Sequence, residues 1–416
     1  MIANRILGVQ RSPFYSIMDL AAKRPDCIYL QLGEPDFVTP KHVREAAKKA
    51  LDEGHTHYGP DRGIPELREL IAEKIKREHG TSYNWADEIL VTAGGQAALH
   101  VAVMALANPG DEIIIMLPHY PPYVVNAQLS GAKAVFVKLK PEDNFVPDPA
   151  EIEKAITDKT KLIMVLTPNN PTGAVYPRGV LEAIARIAEK YHLLVLADEI
   201  YDQMTYDGAQ FTPMATLVQN TLCGTLSGLS KVYRACGYRV GWAVFSGDVE
   251  HAREYLSALE LLSSLRLCSN VPGQGAVQTA LGGYQSIHEL TSPGGRLYES
   301  RRAIIDAVAR SRFLHLTPPM GACYAFVGVH TDALPDFDDQ QFALDLLEHK
   351  HVLVAPGTSF NVPYRNHFRI TNLPEPQVIA DVFGRIEELL ASYAAGDQPA
   401  TRPNPALRVV DAGNRA

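Results

Sequence analysis

Residues 160–202 read TKLIMVLTPNNPTGAVYPRGVLEAIARIAEKYHLLVLADEIYD. Two short apolar runs, KLIMVL and HLLVLA, flank a stretch in which Val180, Leu181, Ile184, Ile187 and Ala188 recur at helical spacing. Runs this short and this continuously apolar suit strands buried on both faces, and an amphipathic helix between them is the crossover that a parallel sheet needs. The stretch therefore predicts a strand, a covering helix and a neighbouring parallel strand.

The same alternation extends in both directions. EILVTAGG (88–95), DEIIIMLP (111–118), AKAVFVKL (132–139), TLCGTLSG (221–228) and RVGWAVFSG (239–247) complete a set of seven runs. They predict an α/β fold with a mostly parallel seven-stranded sheet covered by helices on both faces. From about residue 250 longer helical patterns take over, HAREYLSALELLSSLRL and GGRLYESRRAIIDAVARS, followed by mixed strand and helix as far as LLASYAA. This change predicts a smaller α/β domain completed by part of the N-terminal segment. The expected division is an arm and part of the small domain over 1–45, a large domain over 46–275, the small domain over 276–393 and a mobile tail over 394–416. That tail, rich in Pro, Ala, Gly and charge, buries too little apolar area to offset its ordering entropy.

Bulk properties narrow the partners. The chain has 416 residues, 46% hydrophobic and 21% charged, so its length allows two or three domains. Its formal net charge of −8 and the lack of a long basic run interleaved with aromatics argue against nucleic acid. Five scattered cysteines without CxxC spacing argue against a disulfide framework or a zinc cage and fit a reducing cytoplasm. The start, MIANRILGVQRSP, lacks a signal-peptide pattern, and no apolar run approaches the ~20 residues that span a bilayer. His55 and His57 form an HxH pair with no third ligand at suitable spacing, so no metal site is expected.

Ligands of open α/β sheets bind beyond the carboxyl ends of the strands. Four of these ends carry unusual residues. A Gly-Gly turn at Gly94–Gly95 opens a helix, and exposed backbone N–H groups at its positive end suit a phosphate. Asn170 stands in the rigid PNNPTG loop, where it either presents an amide or merely stabilises a turn. Asp198 ends the fifth run with Tyr201 three residues on, and is either a helix cap or the partner of a buried cation. Lys231 follows the sixth run within SGLSKVYRACGYRVGW (227–242). One ligand, pyridoxal phosphate, uses all of these groups: a lysine for the covalent attachment, a carboxylate for the ring nitrogen, donors for the phenolate oxygen and a cup for the phosphate.

Over residues 25–393 the chain resembles the fold-type I, class I/II aminotransferases, through LGEPDFVTP, HYGPDRGIPELR, NNPTG, ADEIYD, SGLSKVYRACGYRVGW and FRITN. In the C-terminal half, RLCSNVPGQGAVQTALGGYQSIHEL, SPGGRLYESR and PGTSFNVPYRNHFRI are similar to bacterial alanine aminotransferases. The resemblance implies the pyridoxal-phosphate transferase fold, that cofactor, a homodimer and transfer of an amino group from an L-amino acid to a 2-oxo acid. Alanine with 2-oxoglutarate is the expected pair; aspartate, aromatic or branched-chain substrates are the alternative. It makes Lys231 the Schiff-base lysine, Asp198 the carboxylate facing the ring nitrogen, and Asn170 and Tyr201 the donors to the phenolate oxygen. Tyr120 is the aromatic stacked on the ring. Gly95, Gln96 and Arg239 hold the phosphate, joined by Tyr58 from the other subunit. Arg369 and Gly33 hold the substrate α-carboxylate, and a guanidinium offers the two parallel donors that this task needs.

Departures from the pattern are specific. Gly228 stands three residues before the lysine, where many relatives carry a hydroxyl, leaving Ser230, Ser227 or neither to contact the phosphate. Arg234 occupies a position that is small in many members, and RSPFYSIMDLAAK (11–23) differs from the alanine-type N-terminus. A pyridoxal-phosphate β-lyase would use the same Lys231 and Asp198. A nicotinamide dehydrogenase would require a GxGxxG after a strand, which the sequence lacks.

Overall fold

The computed structural model describes residues 2–7, 9, 17–18 and 20–396. Most of the expected tail, and the greater part of residues 11–23, lie outside the described residues. Strand β1 (Ile28–Tyr29) is followed by seven strands that coincide with the seven apolar runs: β2 (Ile89–Thr92), β3 (Glu112–Leu117), β4 (Lys133–Lys138), β5 (Thr160–Leu166), β6 (Leu194–Asp198), β7 (Leu222–Gly228) and β8 (Gly241–Gly247). These seven form one sheet in the order β2-β8-β7-β6-β5-β3-β4, in which only β8 runs against the rest.

The crossover between β5 and β6 is the helix Arg178–Lys190, which buries Leu181, Ile184, Ile187 and Ala188 against one face of the sheet. Each large apolar side chain buried there stabilises by roughly 1.5–3 kcal/mol, so Ile184→Asp would detach this helix. The opposite face is covered by the helices Pro65–His79, Gly95–Leu106 and Val271–Gly282, whose buried residues share a core with β2, β7 and β8.

A second sheet, in the order β12-β13-β10-β9, combines β9 (Leu314–Leu316), β10 (Tyr324–Val329), β12 (Ala355–Pro356) and β13 (His367–Thr371). Strand β11 (Val352–Leu353) pairs in parallel with β1, which ties the N-terminal segment to the smaller unit. A separate core joins these strands to the helices Arg296–Arg310, Asp339–Lys350 and Pro376–Ala394. The expected boundaries at 45 and 275 fall inside the helices Lys41–Asp52 and Val271–Gly282, and those two helices pack on each other beside the large sheet.

Candidate active site

A cavity of about 460 Å³ opens at the carboxyl ends of β2, β3, β5, β6 and β7 and is closed from above by residues of the smaller unit. Gly33, Gly95, Gln96, Tyr120, Asn170, Asp198, Tyr201, Ser230, Lys231, Arg239 and Arg369 all line it, as does Ser227. Five separate strand ends thus deliver their polar residues to one space. Tyr58 is not among the lining residues; its side chain is 83% exposed.

Asp198, the last residue of β6, does not cap a helix. Its Oδ2 accepts the Tyr123 hydroxyl at 2.8 Å. Burial drives its pKa up to about 6, although Tyr123, the Ile200 N–H and the nearby Lys231 all favour the carboxylate. Lys231 shows the converse effect: burial lowers the pKa of its amine, against the opposing pull of Cys323, Cys236 and Glu34. An amine so treated is nucleophilic at a lower pH than a solvated lysine. In this conformation Lys231 Nζ donates to the carbonyl of Gly33.

Arg369, on β13, is buried and stacked between the rings of Tyr324 and Phe360, at 4.4 and 4.6 Å from their centroids. One terminal nitrogen donates to Asn170 Oδ1 at 2.9 Å and the other to the carbonyl of Gln31, while the buried Nε has no partner among the described residues. Because Asn170 spends its oxygen on Arg369, its amide N–H groups remain available to a ligand. Tyr201 shares a hydrogen bond of 2.8 Å with Tyr324. Tyr324 also explains Gly33: a Cβ at that position would lie 1.7 Å from the Tyr324 hydroxyl.

Glycines set the anion-binding corner. Gly94 adopts φ +87°, and a Cβ there would come within 2.3 Å of an Arg239 terminal nitrogen, so only glycine lets the guanidinium lie over the turn. Gly95 then begins a twelve-residue helix whose first N–H groups face the cavity end of the sheet. Gly228 pairs with Gly241, and a Cβ on Gly228 would stand 2.9 Å from both Gly241 Cα and the Val240 carbonyl. Close backbone approach therefore accounts for the missing hydroxyl. Ser227 and Ser230 both reach the cavity from either side of it. Arg234 points away from this corner and donates to Ser286 Oγ at 2.5 Å.

Among the described residues, the group able to converge on a metal ion is Glu78, His79 and Asp202, not the HxH pair. There Lys74 Nζ already lies 2.6 Å from Glu78 Oε2, supplying the positive charge. Tyr123 and Tyr324 are hydroxyl-bearing residues of the cavity that the sequence reading did not mark. Tyr123 carries a usable signal, since it stands one helical turn after Tyr120 in HYPPY. Tyr324 carries none, because only domain packing brings β10 over the large sheet.

Three cations, a buried carboxylate, a stacking tyrosine and a glycine-opened helix N-terminus fit an anionic, phosphate-bearing aromatic aldehyde together with a carboxylate substrate. Fold and site together define an α/β enzyme whose main cavity presents a lysine amine beside a carboxylate. A profile described as aminotransferase class I and II matches residues 25–385, and the chain belongs to that family. It is 38% identical over 336 residues to the glutamate-pyruvate aminotransferase AlaA of Escherichia coli K12, covering 81% of this chain and 83% of the relative. With an alanine aminotransferase of Mycobacterium tuberculosis H37Rv it shares 37% identity over 377 residues, covering 90% and 88%. The solved structure of an alanine aminotransferase from Pyrococcus furiosus superposes with a TM-score of 0.89 at 36% identity, covering 94% of this chain and all of that one.

Proposed function

We propose that the protein is a homodimeric, pyridoxal-phosphate-dependent aminotransferase of the cytoplasm that exchanges the amino group between alanine and glutamate by a ping-pong route. The observation that carries the reading is Arg369, a buried guanidinium with an unspent donor in the same cavity as Lys231 and Asp198. The names of the relatives support the alanine pair, and five free cysteines suit a reducing compartment. Among the described residues no helix is long and apolar enough to cross a membrane.

Pyridoxal phosphate, when bound, supplies an aldehyde that captures amines and an electron-poor ring. Lys231 acts as the nucleophilic amine and as the base that takes and returns the proton at the substrate α-carbon, a role worth ~10²–10⁴ in rate. Asp198 holds a proton on the ring nitrogen. The Asn170 amide and the Tyr201 hydroxyl donate to the phenolate oxygen, and Tyr120 packs on the ring. Gly95, Gln96, Arg239 and Ser230 bind the phosphate, while Arg369 and Gly33 orient the substrate carboxylate. Tyr58 completes the phosphate site of the partner subunit.

The test uses the purified, cofactor-loaded protein. Its visible absorbance should bleach on adding alanine without a keto acid and return on adding 2-oxoglutarate, with no ammonia released. A protein that takes up no pyridoxal phosphate overturns the reading. Bleaching by aspartate or aromatic amino acids faster than by alanine replaces the substrate pair and leaves the chemistry standing.

A further inference from the structure

Tyr123 also borders a smaller cavity, of about 10 Å³, which Lys231 does not line. Its polar neighbours are His119, Tyr123, Asn169 and Tyr176.

His119 is 3% exposed and stacks on Phe136. Its Nδ1 lies 2.8 Å from the Tyr120 carbonyl, which can only accept, so Nδ1 bears the hydrogen and Nε2 is a lone-pair acceptor. Burial lowers the pKa of the ring to about 4, which keeps it neutral. Nε2 is buried and has no partner among the described residues. Tyr176 is wholly buried; its oxygen accepts from Asn169 Nδ2 at 3.2 Å, and no described residue accepts its hydrogen. Tyr123 gives its hydrogen to Asp198 Oδ2, and no described group donates to its oxygen. One unspent donor and two unspent acceptors therefore belong to residues that line a space about the size of one water probe.

We propose that this space holds a single ordered water that accepts from Tyr176 and donates to His119 Nε2 and Tyr123 Oη, which makes His119 and Tyr176 positioning residues for Asp198. The arrangement satisfies the water with three bonds, the usual number for a buried one. A water donating to Tyr123 polarises its hydroxyl and strengthens the bond to Asp198, an effect of about 10–30% per bond in such chains. The carboxylate then ionises at a lower pH than its burial alone would allow. The charged and titratable groups facing Asp198 are Tyr123, Lys231 and the neighbouring Glu199; beside His119 stand Tyr123, the Phe136 ring, the Tyr120 carbonyl and, on the same cavity, Tyr176. The water site is independent of the cofactor reading, whereas its catalytic meaning rests on it.

The experiment is NMR on the full-length chain freed of any bound cofactor, with ¹⁵N-histidine and ¹³C-carboxyl-aspartate labels. His119 is assigned by its loss in His119→Phe. The expected result is a neutral His119 with hydrogen on Nδ1, hydrogen-bonded at Nε2, and a cross-peak to one slowly exchanging water. Asp198 should titrate about half a unit higher in His119→Phe and in Tyr176→Phe, and His119→Gln, which restores an acceptor near Nε2, should reverse the shift. Hydrogen on Nε2, no bound water, or an unmoved Asp198 in both folded variants overturns the proposal. If the variants fail to fold, the wild-type cross-peak to a bound water and the hydrogen bond at Nε2 decide it. Failure of the protein to bind pyridoxal phosphate would sink the functional reading and leave these measurements valid.

Discussion

Asp198 is a carboxylate that the folded chain holds at a cost. Its folded pKa of about 6 lies above the ordinary 3.8, so between those values the native state binds more protons than the unfolded one and stability falls as pH rises. Above pH 6 the penalty is complete, roughly 3 kcal/mol for two units at about 1.4 kcal/mol each. Asp198→Asn, which keeps an acceptor for Tyr123, should therefore make the cofactor-free protein more stable at pH 7–8, with the advantage gone below pH 4. Denaturant unfolding across pH checks this, and transaminase activity should be lost in the same variant. Gly228 is the second residue whose environment decides its identity. Gly228→Ser, although it restores the hydroxyl of many relatives, should destabilise by about 1–3 kcal/mol, because its Cβ meets the backbone of Val240 and Gly241. A stabilised Gly228→Ser variant with tighter cofactor binding would refute the close-approach account.

At the scale of elements, the site is a junction of strand ends, and its precision depends on how closely β8 passes the helix Gly95–Leu106. A Cβ on Gly241 would stand 2.5 Å from the Gly95 nitrogen. Gly241→Ala should push this helix start away from Arg239 and weaken pyridoxal phosphate binding about tenfold or more, a loss of about 1.4 kcal/mol per decade, measured by titration of the cofactor-free protein. The helix Asp339–Lys350 offers a cleaner stability probe remote from the cavity. Asp338 caps it by accepting from the N–H groups of Gln340 and Gln341 at 3.0 and 2.9 Å. Asp338→Ala should cost about 1 kcal/mol in denaturant unfolding, with the Michaelis constants unchanged. These elements were legible to different degrees. Every strand of the large sheet follows from a short apolar run; burial on both faces leaves no other pattern for the inner strands, whereas β4, at the edge, stays largely exposed. The helix Lys41–Asp52 packs on Val271–Gly282 across more than two hundred residues, a contact that no local pattern announces, and the expected domain boundaries cut both helices for that reason.

At the scale of the molecule, exposed apolar residues point to a second copy. Tyr58 is 83% exposed; the Gly59 N–H donates to Cys268 at 3.2 Å, and Arg62 pairs with Glu260 at 2.9 Å, so Tyr58 lies beside the exposed Leu261, Leu265 and Leu267. A dimer covering these side chains should sediment at twice the 45.6 kDa chain mass. Mixing inactive Lys231→Ala with a Tyr58→Ala variant tests the shared site. In the mixed dimer, the intact Lys231 belongs to the Tyr58→Ala chain and receives Tyr58 from its partner. Activity should exceed the sum of the separate variants, and strict additivity would place Tyr58 within its own subunit's site.

The sequence by itself determined which polar positions stand at the strand ends, since Lys231, Asp198, Asn170 and the Gly-Gly turn each follow closely on an apolar run. It also determined the α/β class, because apolar periodicity is a local consequence of burial. Only the tertiary structure decided which side chains answer one another across the cavity. Tyr123 turns to Asp198, Tyr324 covers Gly33 and joins Tyr201, and Arg369 spends one nitrogen on Asn170. Those pairings join residues far apart in the chain, 199 positions for Arg369 and Asn170 and more for Tyr324 and Gly33, and the packing of the smaller unit on the large sheet, rather than any local preference, sets their distances.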